Sequence, residues 1–247
     1  MRAKLLHTAL AALAALAITA CAPRAVVAPL PAPAPEGPVT AEMLRERIVL
    51  AGVAGMSAEV KARIMRGEER VATASGALAY QAGEGGGRLA LRLFSPFGSA
   101  VFELVSAGDG SARAYDPKSR TMYIGRVPPL VPGADADVMM DEDEAHYYLY
   151  LRGDGALTEY AFDRATLRNV SVATASRNGG SAALVIDAYG AGTVPEAMTL
   201  EFPGGMRVRL ELMDVELGGE LPGSAFLLER EVERVMTFEE FLMGRPE

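Results

Sequence analysis

Asp143-Glu144-Ala145-His146 is where acids and a histidine stand side by side in this chain, so it is the first place to look for chemistry. The four residues spell a box that in nucleotide-driven enzymes holds magnesium. That box works with a phosphate-cradling Gly-x-x-x-x-Gly-Lys-Ser/Thr loop, which this chain lacks. Asp135, Asp137, Asp141, Glu142, Asp143 and Glu144 together offer the oxygen ligands that Ca²⁺ prefers, but without the turn glycine and terminal glutamate of a calcium loop. A solvated acidic loop is the expectation, with no metal and no cofactor. His146 could act as a general base, yet no Gly-x-Ser-x-Gly nucleophile motif accompanies it. Scattered acids could still meet as a carboxylate pair in space. The expectation is a protein that is not an enzyme.

The remaining reactive residue is Cys21, the single cysteine. Ahead of it stand Arg2 and Lys4, an unbroken apolar run from Ala9 to Ile18, and the small residues Thr19 and Ala20. This is the order of a secretory signal. The run is too short to span a bilayer, which takes ~20 apolar residues. Ile18-Thr19-Ala20-Cys21 resembles the lipobox of bacterial lipoproteins. The resemblance implies cleavage between Ala20 and Cys21, a diacylglycerol thioether and an N-acyl chain on Cys21, and a membrane as partner. An ordinary signal with a chance cysteine is the alternative. The residue after Cys21 is Ala22, not the aspartate that retains lipoproteins at the inner membrane in enteric bacteria. The implied address is therefore the periplasmic face of the outer membrane of a Gram-negative bacterium.

Residues 21–38 are nearly all Ala, Pro and Val, a semi-rigid tether, and 39–247 then form one domain. Loss of residues 1–20 takes two cations and no acid, moving the formal net charge from −8 to −10. An acidic chain with no basic stripe is a poor partner for nucleic acid or anionic lipid.

Within the domain, Thr40 is a plausible N-cap for a helix through Leu50 with Met43, Leu44 and Ile48 on one face. The period then changes to two. Val60, Ala62 and Ile64 alternate with Lys61 and Arg63; Leu89, Leu91 and Leu93 with Ala90 and Arg92; Met206, Val208, Leu210 and Leu212 with Arg207, Arg209 and Glu211. Parity slips at Leu212-Met213, which predicts a β-bulge. Repeated Gly-Asp-Gly and Asn-Gly-Gly turns join these runs, giving a mainly β chain of about eleven or twelve antiparallel strands in a curled sheet or barrel. Thr237 to Met243 reads as a short helix or covering tail.

Leu89-Ala90-Leu91-Arg92-Leu93-Phe94-Ser95-Pro96-Phe97-Gly98-Ser99 resembles a strand and loop of the outer-membrane lipoprotein receptor LolB and its relatives. Pro195 to Leu200 followed by Gly205 to Leu212 is similar to that family's closing hairpin, and the likeness extends over Val60 to Leu217. It implies an incompletely closed antiparallel β-barrel around a greasy cavity that receives acyl chains of lipoproteins or lipids. Leu89, Leu91, Leu93, Met198, Leu200, Met206, Val208, Leu210 and Leu212 are the candidate lining. A plain packed core fits the same alternation.

Pro96, Phe97 and Gly98 align with the family's apolar loop, with Phe97 in place of the leucine that assists insertion into the membrane. Phe97 tucked under the sheet is the other possibility. The chain departs from the family in lacking tryptophan and a leucine-rich covering helix between Val127 and Tyr147, where Pro128-Pro129 and the acidic stretch stand instead. Two functions follow from this reading. One is an anchored acyl-chain binder that assists lipoprotein or lipid localisation, with a periplasmic carrier as partner. The other is an adaptor that holds an envelope protein on the same fold.

Overall fold

The alternating runs pair as strands. The computed structural model describes residues 37–83, 86–127, 137–153, 156–176, 181–189, 194–202, 205–238 and 240. Cys21, Ala20, the signal and all but the last two residues of the tether lie outside the described residues. The strands are β1 (Gly55–Arg66), β2 (Glu69–Gln81), β3 (Arg88–Phe94), β4 (Ala100–Ser106), β5 (Ser111–Asp116), β6 (Thr121–Arg126), β7 (Asp137–Glu142), β8 (His146–Gly153), β9 (Ala156–Asp163), β10 (Asn169–Ser176), β11 (Ser181–Tyr189), β12 (Pro195–Phe202), β13 (Met206–Leu217) and β14 (Arg234–Thr237). They form one sheet in the order β14-β6-β5-β4-β3-β2-β1-β13-β12-β11-β10-β9-β8-β7. Every pairing is antiparallel except β14 with β6. The order does not return on itself, so the barrel is incompletely closed, with β14 and β7 as its two ends.

The fourteen strands among the described residues exceed the expected eleven or twelve. One of the additions corrects the solvated acidic loop: residues 137–142 are an edge strand in unbroken register with β8. Pairing with the strong tyrosine-leucine strand beside it, more than its own composition, holds that segment extended. The other is β14, delivered to β6 by the chain that follows β13.

The predicted helix forms but is shorter than expected. Helix α1 (Ala41–Arg45) has Thr40 as N-cap, its hydroxyl accepting from the Met43 amide at 3.3 Å. Beyond Arg45 the chain tightens into three-residue turns, with Ile48 N–H donating to Arg45 O and Ala51 N–H to Ile48 O. The apolar face continues all the same, and Leu44, Ile48, Val49 and Leu50 are buried. They sit in the concave face of the sheet in one cluster with Leu149, Tyr160, Phe162 and Leu167. Burying each such side chain contributes ~1.5–3 kcal/mol.

The bulge is present. Glu59 pairs with Met213 and Ser57 with Glu216, so Ala58 faces two residues, Asp214 and Val215. Asp214 takes a positive φ of 47° there, which lets the inward parity change along β13.

Candidate functional site

The register aligns the inward side chains into rows across the concave face. One row runs Phe102, Leu93, Gly76, Val60, Leu212. Another runs Met140, Leu149, Tyr160, Val172, Leu184, Leu200, Val208, Ile64. Of the expected lining, Leu91, Leu93, Met198, Leu210 and Leu212 are buried, and Leu89, Leu200 and Val208 are half-buried. The backbone of Met206 pairs with Arg66, and its side chain lies outside the described residues. The structure thus brings the predicted strands together on one face.

The interior is graded. Beneath α1 it is filled: Leu44, Leu149, Tyr160 and Phe162 have no exposed surface, and burial pushes the Tyr160 hydroxyl far above its ordinary range. Farther along the same row, toward the last residues of β1 and β12 and the first of β13, the inward Ile64, Leu200 and Val208 are only half-buried, as is Phe102 on β4.

Phe97 stands at that same end. Leu93 and Val60 share a row, and Phe97 lies as far beyond Leu93 as Ile64 lies beyond Val60. It is 95% exposed, with Phe94 and Val101 also partly in solvent at the base of the hairpin. The turn that projects it is built from its neighbours. Gly98 adopts φ 80°, its amide donates to Ser95 O at 2.9 Å, and the Phe97 amide donates to Ser95 Oγ at 3.3 Å. Phe97 is therefore not a plug under the sheet. An exposed phenyl on a tight turn has no partner within the described chain and favours any apolar medium brought to it.

Sequence reasoning missed the outer face of β3–β5. Residues 218–233 cross it, with a 3₁₀ turn at Gly223–Phe226 whose Phe226 is buried. Arg92 donates to the carbonyls of Ser224, Ala225 and Leu227, and Arg88 lies over the Phe226 ring at 4.7 Å. Glu103 is buried beneath this strap, and its Oε1 accepts from Arg230 at 2.7 and 3.0 Å. Its alternation within β4 marks Glu103 as outward-facing; the distant Arg230 offsets its charge and satisfies Oε1, while Oε2 is buried without a hydrogen-bond partner among the described residues. The tail then pairs as β14 and lays Phe238 against Gly125. At the tail's end Thr237 and Glu240 exchange hydrogen bonds in a capping box, the start of the predicted helix.

Asp143-Glu144-Ala145-His146 is the β7–β8 turn. Asp143 Oδ1 accepts from the amides of Ala145 and His146, each at 2.7 Å, and its Oδ2 accepts from the Tyr148 hydroxyl at 2.7 Å. Among the described residues, no group of three His, Cys, Asp or Glu comes together in a metal-holding arrangement. The Tyr148 hydroxyl, then the two amides, hold the Asp143 carboxyl down at about 2, and the same bond pushes Tyr148 up to about 12. A carboxylate depressed in the folded state contributes stability at neutral pH that is lost as pH falls through its folded value. Tyr148→Phe should therefore move the Asp143 midpoint up toward the ordinary carboxylate range and open the turn at a higher pH. Carboxyl ¹³C NMR titration reads this, and a midpoint still near 2 would assign the shift to the backbone amides alone.

No family model and no curated protein matches the chain. Among solved structures, it is similar to a LolA superfamily protein from Nitrosomonas europaea at TM-score 0.51 and 13% identity, covering 77% of this chain and 99% of that one. It is also similar to a DUF1329 family protein from Desulfovibrio piger at TM-score 0.52 and 12% identity, covering 76% and 95%. The incompletely closed barrel is thus a LolA/LolB-like fold, as the strand and loop resemblances imply.

Proposed function

We propose that the chain is a lipoprotein of the outer membrane, anchored through Cys21 and facing the periplasm, that binds acyl chains and assists lipoprotein or lipid localisation without catalysing a reaction. The observation that carries this reading is the graded interior. Its apolar lining is only half-buried at Ile64, Leu200 and Val208, on the end where Phe97 projects. A chain end entering there would exchange water for apolar walls at ~25 cal/mol per Å². The LolA-like fold supports it, because one of its solved examples carries the name of that superfamily.

A secreted Cys21→Ser variant, which has no thiol to acylate, tests binding apart from anchoring. A dansyl-labelled fatty acid should be taken up saturably and displaced by unlabelled oleate, with a bound fatty acid visible by native mass spectrometry. Linear, non-displaceable uptake would sink the acyl-binding reading. One observation favours the adaptor alternative: beneath α1 the interior around Leu44, Leu149, Tyr160 and Phe162 is packed. In that case crosslinking in membranes should return one stoichiometric protein partner, not many lipoproteins.

A further inference from the structure

The β7 edge is open among the described residues: it pairs with β8 on one side and with nothing on the other. Natural sheets blunt such edges with charged side chains, proline or a bulge. Strand β7, Asp137-Val138-Met139-Met140-Asp141-Glu142, has neither proline nor bulge and pairs with β8 without a register shift; its protection is acidic charge alone, which repels another acidic edge but not a basic segment. The inward Val138 and Met140 pack against the core, while Asp137, Met139 and Asp141 are exposed on the outer face, Met139 at 50%.

Directly across from Asp141 and Met139 stand Tyr148 and Tyr150, whose rings stack at 6.2 Å and 24°. Glu159 follows opposite Tyr150 on β9. Glu142 is paired with Arg164 at 3.3 Å, and Arg152 lies opposite Asp137, so these two acids are partly offset. Asp141, Asp143 and Glu159 keep the face acidic.

We infer that this edge receives an extended, basic segment of a partner protein, which adds as a strand beside β7 and lays alternate Lys or Arg side chains over Asp137, Asp141 and the Tyr148–Tyr150 stack. Backbone hydrogen bonds supply the pairing, and the alternate side chains supply the choice of partner. A cation over a tyrosine face beside a carboxylate is attracted by both. The same charges disfavour a second copy. Two β7 strands pairing antiparallel about Met139 would set Asp137 against Asp141 twice, and like charges directly opposite are destabilising. The site rests on the open edge and its charge, so it holds whether or not the interior takes a lipid, and it gives the adaptor reading a surface.

The test uses the full-length lipidated protein in nanodiscs of phosphatidylcholine, which carries no net charge to draw the probe. A short fluorescent peptide of alternating Arg and Val should bind saturably and protect the amides of 137–142 from hydrogen exchange. Its counterpart with Glu for Arg should not bind. Asp137→Lys with Asp141→Lys should weaken binding at least about tenfold, and Tyr150→Ala, which leaves the edge charge intact, should weaken it less. N-methylation of alternate peptide amides should abolish it. Equal binding of the N-methylated peptide, equal binding to empty nanodiscs, or unchanged affinity in the double lysine variant would overturn the proposal. So would concentration-dependent dimers in sedimentation, which would give the edge to a second copy. Fatty-acid uptake by the same variants should stay at the wild-type level, so failure here is distinguishable from failure of the acyl-binding reading.

Discussion

Gly76→Val should lower the unfolding free energy by about 3 kcal/mol or more, the upper end of the cost of overpacking a core. Gly76 sits on the inward row between Leu93 of β3 and Val60 of β1. A Cβ built there would lie 1.8 Å from the Arg92 carbonyl oxygen and 2.8 Å from its carbon. Both are backbone atoms of the adjoining strand, so no rotamer change relieves the overlap; β2 and β3 would have to part. Glycine in a strand often marks such a close approach at a barrel corner. In a domain of this size the loss corresponds to a fall in Tm of roughly 6–12 °C. Gly83→Ala is the control, because a Cβ there meets nothing within 4 Å, and its Tm should stay near wild type. Denaturation of both variants by heat and by urea reads the difference. A Gly76→Val protein as stable as wild type would mean that the two strands separate at little cost.

Gly76 also shows where sequence reading stops. The alternation on each side of it, Val60-Ala62-Ile64 and Leu89-Leu91-Leu93, is a local property of the chain, and it predicts the inward faces correctly. The parity slip after Leu212 is local too, and the bulge stands within a few residues of it, at Asp214. Row membership, by contrast, depends on register between strands that are distant in sequence, so the clash that a Cβ at Gly76 would meet is invisible until β3 is laid beside β2.

The same holds more strongly for Glu103. Its alternation within β4 marks it as outward and therefore wet, yet residues 218–233 cross over and bury it against Arg230. No periodicity in β4 signals a cover supplied from more than a hundred residues away. Strand β7 escapes notice for a related reason. Acids are poor strand formers on their own, and the segment is extended because Tyr147 to Arg152 pair with it. For the candidate site, the residues of the Phe97 turn are legible as a Pro-Phe-Gly loop, but whether the ring points in or out depends on how the hairpin meets its surroundings, which the sequence leaves open.

Phe97→Glu should reduce binding of the anchor-free Cys21→Ser protein to lipid vesicles by roughly 30-fold while leaving fatty-acid uptake intact. At 95% exposure the Phe97 ring contributes nothing to packing, so its replacement should leave Tm unchanged. The turn itself is held by Ser95 and Gly98, whose hydrogen bonds use backbone atoms and the serine hydroxyl, not the phenyl ring. What is lost is transfer of one phenyl group into an apolar medium, ~2 kcal/mol for a side chain of this size, and each 1.4 kcal/mol is tenfold. Phe94 and Val101 at the base of the hairpin retain part of the contact, so binding should weaken without vanishing. Phe97→Leu, still apolar, should recover most of it. Vesicle flotation or tryptophan-free dansyl-lipid energy transfer measures the partitioning. If the glutamate variant binds vesicles as wild type does, the loop does not face the membrane, and the half-buried end of the interior at Ile64, Leu200 and Val208 must take its guests from a protein donor. If uptake of fatty acid falls together with vesicle binding, Phe97 is part of the entrance itself and not a separate contact beside it.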